Sequence, residues 1–163
     1  MTRHTRFALN VVVRTTLLTA VFVSLAGCAA IVPLEPAPDA NNPGCAEVIV
    51  RLPERVAEQP QRETNAQATG AWGSPASILL HCGVSVPGPS TLPCVEVNGV
   101  DWLEDDAEKP LYRYTTFGRN PAVEVVVDSD KVSGTTTLVD LTGAVEKIPA
   151  SSHCTDLSDT FAN

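Results

Sequence analysis

The chain lacks the motifs that carry the common chemistries. It has no Gly-x-Ser-x-Gly, no phosphate-binding loop, no dinucleotide fingerprint and no His-Glu-x-x-His, so no familiar catalytic site can be placed on it, and no motif implies a cofactor. Cations are few: 11 Lys+Arg stand against 19 Asp+Glu. Phosphate binding needs clustered positive charge, which excludes nucleic acid as the expected partner. The same deficit argues against the body lying flat on an anionic bilayer. A long apolar run is missing as well. Asn10 and Arg14 cut the N-terminal one to about a dozen residues before Cys28, short of the ~20 that a spanning helix needs. No internal repeat stands out.

What is present begins with an address. Arg3, Arg6 and Arg14 precede an apolar run from Leu17 to Ala26, and small residues then lead into a cysteine at Leu25-Ala26-Gly27-Cys28. That is the layout of a secretory leader. The Leu-Ala-Gly-Cys box resembles the bacterial lipobox, which implies cleavage after residue 27, a diacylglycerol thioether on Cys28, and a protein anchored to the outer side of the cell membrane. Two acyl chains suffice for stable anchoring where one does not. With the leader's three arginines gone, 8 Lys+Arg remain against 19 Asp+Glu, a net charge of −11. Such acidity keeps a tethered domain soluble and away from the bilayer.

Three segments are expected: a leader over 1–27, a lipidated Cys28 with a proline-rich stalk over 28–44, and one extracytoplasmic domain over 45–163. Residues 29–44 hold four prolines and, in polyproline geometry, would make a spacer of roughly 50 Å. Cys45, Cys82, Cys94 and Cys154 remain after Cys28. An even number in an exported chain reads as two disulfides, with three connectivities open, each worth about 2–4 kcal/mol.

Within the domain, Cys45–Leu52 fits either a helical or an extended face and is read as helix before Pro53. Residues 57–71 are polar, and Thr64 with Gln67 is spaced as a capping box for a short helical turn. Ser77–Cys82 reads as an apolar strand closed by Gly83. Val84–Pro93, rich in proline, reads as a loop. Asn98-Gly99 between alternating residues marks a type I′ hairpin. That register sets Val97 against Val100, Glu96 against Asp101 and Val95 against Trp102, with the valines and Trp102 facing the core. Glu104–Glu108 reads as an acidic loop. Tyr112–Phe117 and Ala122–Asp128 form a second hairpin, with Tyr112, Tyr114, Val123, Val125 and Val127 inward and Arg113, Thr115, Phe117 and Glu124 outward. A last helix carries Leu138, Leu141, Val145 and Ile148 on one face, with Thr137 and Asp140 as its cap. The expected fold class is α+β: an antiparallel sheet of about five strands with flanking helices on one face and two disulfides.

The candidate binding residues are Glu96, Asp101, Trp72, Arg113 and Arg119. Glu96 and Asp101 are like charges facing each other across a strand pair, which is destabilising unless a cation intervenes. Arg113 or Arg119 from the next hairpin, a calcium ion or a partner's basic residue would each serve. Solvation with an internal arginine is the plainer reading, and glycosidase-like use of the pair would need a cleft. Trp72 and Trp102 read either as core or as an exposed platform. His81-Cys82 and His153-Cys154 match no zinc spacing, and neighbours on a strand point to opposite faces. The acidic run 104–108 lacks the alternating ligands and glycine of a calcium loop. No catalytic and no metal-ligating residue is assigned.

Ala71-Trp72-Gly73-Ser74-Pro75, Leu80-His81-Cys82-Gly83-Val84 and Asn98-Gly99-Val100-Asp101-Trp102 resemble the Domain of Unknown Function 3515 family, small exported actinobacterial proteins. Leu52-Pro53 and Phe117-Gly118-Arg119 fit it too, so the resemblance spans about residues 45–148. The chain departs from the family pattern at Ser74, where Asp is usual, and at His81, where Arg is usual. The family has no activity assigned. The resemblance implies export, a single domain and a Cys45–Cys82 bond, leaving Cys94–Cys154. A local alternative pairs Cys82 with Cys94 and Cys45 with Cys154. Three functional readings follow: a non-enzymatic module contacting envelope proteins or wall polymer, a binder of a small ligand or metal ion, and an envelope hydrolase.

Overall fold

Alternating apolar residues dominate the middle of the chain, and they form a sheet larger than that pattern suggests. A computed structural model describes residues 30–154. Residues 1–29, with the expected leader and Cys28, and residues 155–163 lie outside the described residues. Helix α1 spans Pro43–Ile49. Eight strands follow: β1 Arg55–Val56, β2 Gln59–Arg62, β3 Thr69–Trp72, β4 Ile78–Val84, β5 Cys94–Val97, β6 Val100–Glu108, β7 Leu111–Thr116 and β8 Ala122–Asp128; helix α2, Gly134–Val145, comes last. All neighbours are antiparallel, in the order β1-β2-β3-β4-β8-β7-β6-β5. The sheet has eight strands, not five. No helix among the described residues is long and apolar enough to cross a membrane.

Three further expectations are corrected. The polar stretch 57–71 holds no helix. Ala57 and Glu58 take left-handed φ angles of 45° and 63°, which close β1 onto β2. The Thr69 hydroxyl reaches Thr64 Oγ1 at 2.7 Å and the Ala66 carbonyl at 2.6 Å, fastening the turn into β3. The acidic run 104–108 is the end of β6, where Asp105 stands opposite Arg113 and an opposite charge supports the pairing. The proline-rich stretch is no free spacer from Ile31 on. Val32 bridges to Thr64, Leu34 N–H donates to Asn65 Oδ1 at 2.7 Å, and Asp39 N–H donates to the Gly83 carbonyl at 3.0 Å. A Cβ on Gly83, at φ +91°, would stand 2.3 Å from the Asp39 carbonyl carbon, so glycine there is what lets the segment dock.

The core lies on one face of the sheet. The first hairpin takes the expected register, Val97↔Val100, Glu96↔Asp101 and Val95↔Trp102, and the second forms over the expected strands with Tyr114 opposite Val125. Asn98 and Gly99 have the positive φ angles, 49° and 80°, of a type I′ turn. Ile78, Leu80, Cys82, Val100, Trp102, Val123, Val125 and Val127 bury with Val48 of α1 and with Leu138, Leu141, Val145 and Ile148 on and after α2. Helix α2 starts earlier than the Thr137/Asp140 cap implied. Ser133 is the N-cap, its side chain accepting from Thr136 N–H. The Asp140 carboxylate instead accepts Ala57 N–H at 2.8 Å, tying α2 to the β1–β2 turn. Since α2 also contacts β5 at the opposite edge of the sheet, the sheet curls around this helix.

The two disulfides work on opposite faces. Cys45–Cys82, with a Cα separation of 5.5 Å, ties α1 to β4 on the core side. Cys94–Cys154, with a Cα separation of 6.4 Å, ties the C-terminal arm to β5 on the other side, where Cys94 opposes Leu103.

Candidate binding cleft

Strand order places an open cleft on the outer face of the sheet. Strand β4 pairs with β8, while β5, next in sequence, lies three strands further on. At ~4.8 Å per strand the connection must cover about 19 Å. Residues 85–93, with prolines at 87, 89 and 93, make that crossing over the face opposite the helices. Extended, proline-stiffened backbone cannot follow the sheet closely. Between loop and sheet lies a cleft of about 540 Å³, walled by Pro38, Val86, Pro87 and Leu92 and floored by Leu103, Asp105, Arg113, Thr115 and Glu124. These are the outward positions of β6, β7 and β8, as the period-2 pattern requires. A smaller cavity of about 80 Å³ shares Asp105 and Arg113 and adds Glu108 and Leu111.

The floor is charged and internally bonded. Arg113 Nη1 meets Glu124 Oε1 at 2.7 Å, and Nη2 lies 3.7 Å from Glu108 Oε2. Beside Glu124 on β4 stands His81. Burial pushes the His81 pKa below its ordinary value; the Glu124 charge opposes that shift and Arg113 adds to it. Its Nδ1 is buried with no hydrogen-bond partner among the described residues.

The expected carboxylate pair does not form an open site. Glu96 is exposed and folds back to accept Gly99 N–H. Asp101, 6% exposed, is taken up by the C-terminal arm, accepting from Cys154 N–H at 3.1 Å and meeting His153 Nδ1 at 2.9 Å. So the like-charge conflict is relieved by the chain itself. Arg119 is buried beside Asp101 and donates to the carbonyls of Ile148 and Gly99. Burial holds its pKa below the usual range, with the Asp101 and Glu146 charges opposing. Donor atoms of Cys94, Asp101 and Cys154 lie within 4.8 Å of one another, but both sulfurs are in the disulfide, and thiolates are what bind metal. Trp72 is no platform. It is fully buried, its indole N–H donating to the Pro53 carbonyl at 3.0 Å, and Trp102 is fully buried too.

Of the candidate residues, then, only Arg113 lies in the cleft. Asp105, Glu124, Leu103, Val86 and Leu92 were missed. The outward positions were legible, but the loop that makes them a site depends on β4 pairing with β8, which no local pattern reports.

A family model described as "Protein of unknown function (DUF3515)" matches residues 6–153. No curated protein matches the chain, and no solved structure does.

Proposed function

Given that the chain belongs to the DUF3515 family, whose function is unknown, we propose that it is a membrane-anchored bacterial lipoprotein acting as a non-enzymatic binding module on the outer side of the cell membrane, with the proline-walled cleft as its contact surface. One observation carries the reading: the crossing loop leaves about 540 Å³ open on the sheet face opposite the helices. Its floor offers hydrogen-bonding and charged groups and its walls offer apolar area, the mixture by which ligand sites combine affinity with orientation. The Leu25-Ala26-Gly27-Cys28 box supports the lipid anchor, and two disulfides suit an oxidising compartment. Envelope proteins and wall polymer are the partners within reach of such an anchor.

The volume also favours a second reading, a small-ligand binder, since it falls in the ~300–1,000 Å³ range of such sites. Site-specific photo-crosslinking in cells separates the two. A crosslinker at Leu92 that captures a discrete protein, while one at Val139 on α2 does not, supports the interaction module. Capture of no macromolecule at Leu92, with a melting temperature raised by a pool of small envelope metabolites, supports the small-ligand reading. The anchor has its own check: Cys28→Ala releases the protein from the membrane and removes the mass of the lipid. A Cys28→Ala protein still membrane-bound and unchanged in mass contradicts the anchor.

A further inference from the structure

The two cavities adjoin along the outer face of β6 and together outline a groove. They share Asp105 and Arg113, and Leu103 borders the larger while Glu108 borders the smaller. Five residues along β6 separate those two positions, about 17 Å in an extended strand. That is the length of a pentapeptide rather than of a single metabolite.

Apolar exposure is concentrated there. Among the described residues, six large hydrophobic side chains remain exposed, and three of them, Val86 at 48%, Leu92 at 41% and Leu111 at 41%, border the groove. Val86 and Leu92 stand at one end and Leu111 at the other. Val86 and Leu92 with Pro87 make a contiguous apolar patch at the first end, and such patches mark contact surfaces.

The charge between those ends has one sign in excess. Asp105, Glu108 and Glu124 line the groove with a single cation, Arg113, which Glu124 and Glu108 already engage. A ligand carboxylate would have to compete for that guanidinium against two internal partners. A ligand ammonium or guanidinium would instead meet an excess of carboxylate. The strongly acidic mature chain adds a long-range field that draws cations in.

We infer that this groove binds an extended segment of a partner protein in which Lys or Arg residues alternate with large apolar ones, the apolar side chains seated at Val86/Leu92 and at Leu111 and the cations on Asp105 and Glu108. The inference rests on the binding-module reading above and names its partner's chemistry.

The test uses the full lipidated chain in neutral detergent and a panel of capped pentapeptides pairing Leu, Ile or Val with Lys or Arg, matched against the same panel with Glu in place of the cations. Titration calorimetry is expected to show binding of basic members that weakens at least tenfold from 50 to 300 mM salt, with no binding of acidic members. Leu92→Ser lowers affinity at least tenfold, and Val139→Ser leaves it unchanged. Asp105→Lys reverses the preference, so that acidic members bind and basic ones do not. A misfolded variant cannot produce that gain. Binding of neither panel, or equal binding of both, overturns the inference. If a Leu92 crosslink still captures a protein in cells, only the ligand chemistry has failed and the module reading stands. If that crosslink fails as well, the cleft is not the contact surface and both fall.

Discussion

At the residue scale, two glycines separate conformational need from chance. Gly83 has φ +91° and lies against the Asp39 backbone, while Gly143 sits exposed in α2 with nothing within 4 Å of an added Cβ. Gly143→Ala is expected to stabilise by about 0.5–1 kcal/mol, because alanine loses less backbone entropy in a helix. Gly83→Ala is expected to cost at least about 2 kcal/mol, since it combines a left-handed residue with displaced backbone. Urea melts of the two variants check both signs. His81 gives a pH prediction. Its folded pKa lies below its unfolded value because burial disfavours the imidazolium. The unfolded state then binds the proton first as pH falls, so stability is full above about pH 6.5 and is lost as pH falls through the folded pKa. Melts between pH 7.5 and 5 are expected to show this loss in the parent chain and a shallower slope in His81→Gln. Equal slopes would remove His81 as the cause.

At the element scale, each disulfide secures a different layer. The loops they close span 37 and 60 residues in sequence, and chain entropy alone makes each worth about 4 kcal/mol. Their losses are expected to look different despite similar size. Without Cys45–Cys82, α1 loses its tie to β4, and hydrogen exchange should rise in α1 and along the core face. Without Cys94–Cys154, the C-terminal arm loses its tether over Asp101. Exchange should then rise at Ser151 and Cys154, whose N–H groups donate to the Gly118 carbonyl and to Asp101, while the core strands stay protected. Exchange mapped on Cys45→Ser/Cys82→Ser and Cys94→Ser/Cys154→Ser decides it. A uniform rise in both would contradict the division of labour.

Legibility in the sequence follows the range of the interactions at this same scale. Asn98-Gly99 states its hairpin and register locally, while the alternation over 112–117 and 122–128 states the strands and inward face of the other. The β1–β3 segment could not be read in advance. It is polar, and its strands are held by the two left-handed residues Ala57 and Glu58 and by Thr69 bonding across the turn, none of which has a periodic signature. The carboxylates of Glu96 and Asp101 were correctly set opposite each other. What fills the space beside Asp101 is His153 and Cys154, more than fifty residues later, and no spacing announces that contact.

At the scale of the whole molecule, one face of the curled sheet is closed over helices and the other carries the groove. The strand order forces residues 85–93 across that outer face, and their prolines keep the loop from collapsing onto it. We propose this outer face as the place where the protein meets its partner. The test is hydroxyl-radical footprinting of the full chain in isolated cell envelopes, compared with the purified chain in detergent. Val86, Leu92 and Leu111 report on the groove, while Val50 and Val139, also exposed, report on surfaces away from it. The three groove side chains are expected to lose most of their reactivity in the envelope while Val50 and Val139 keep theirs. Protection of Val50 and Val139 with the groove left reactive would contradict it.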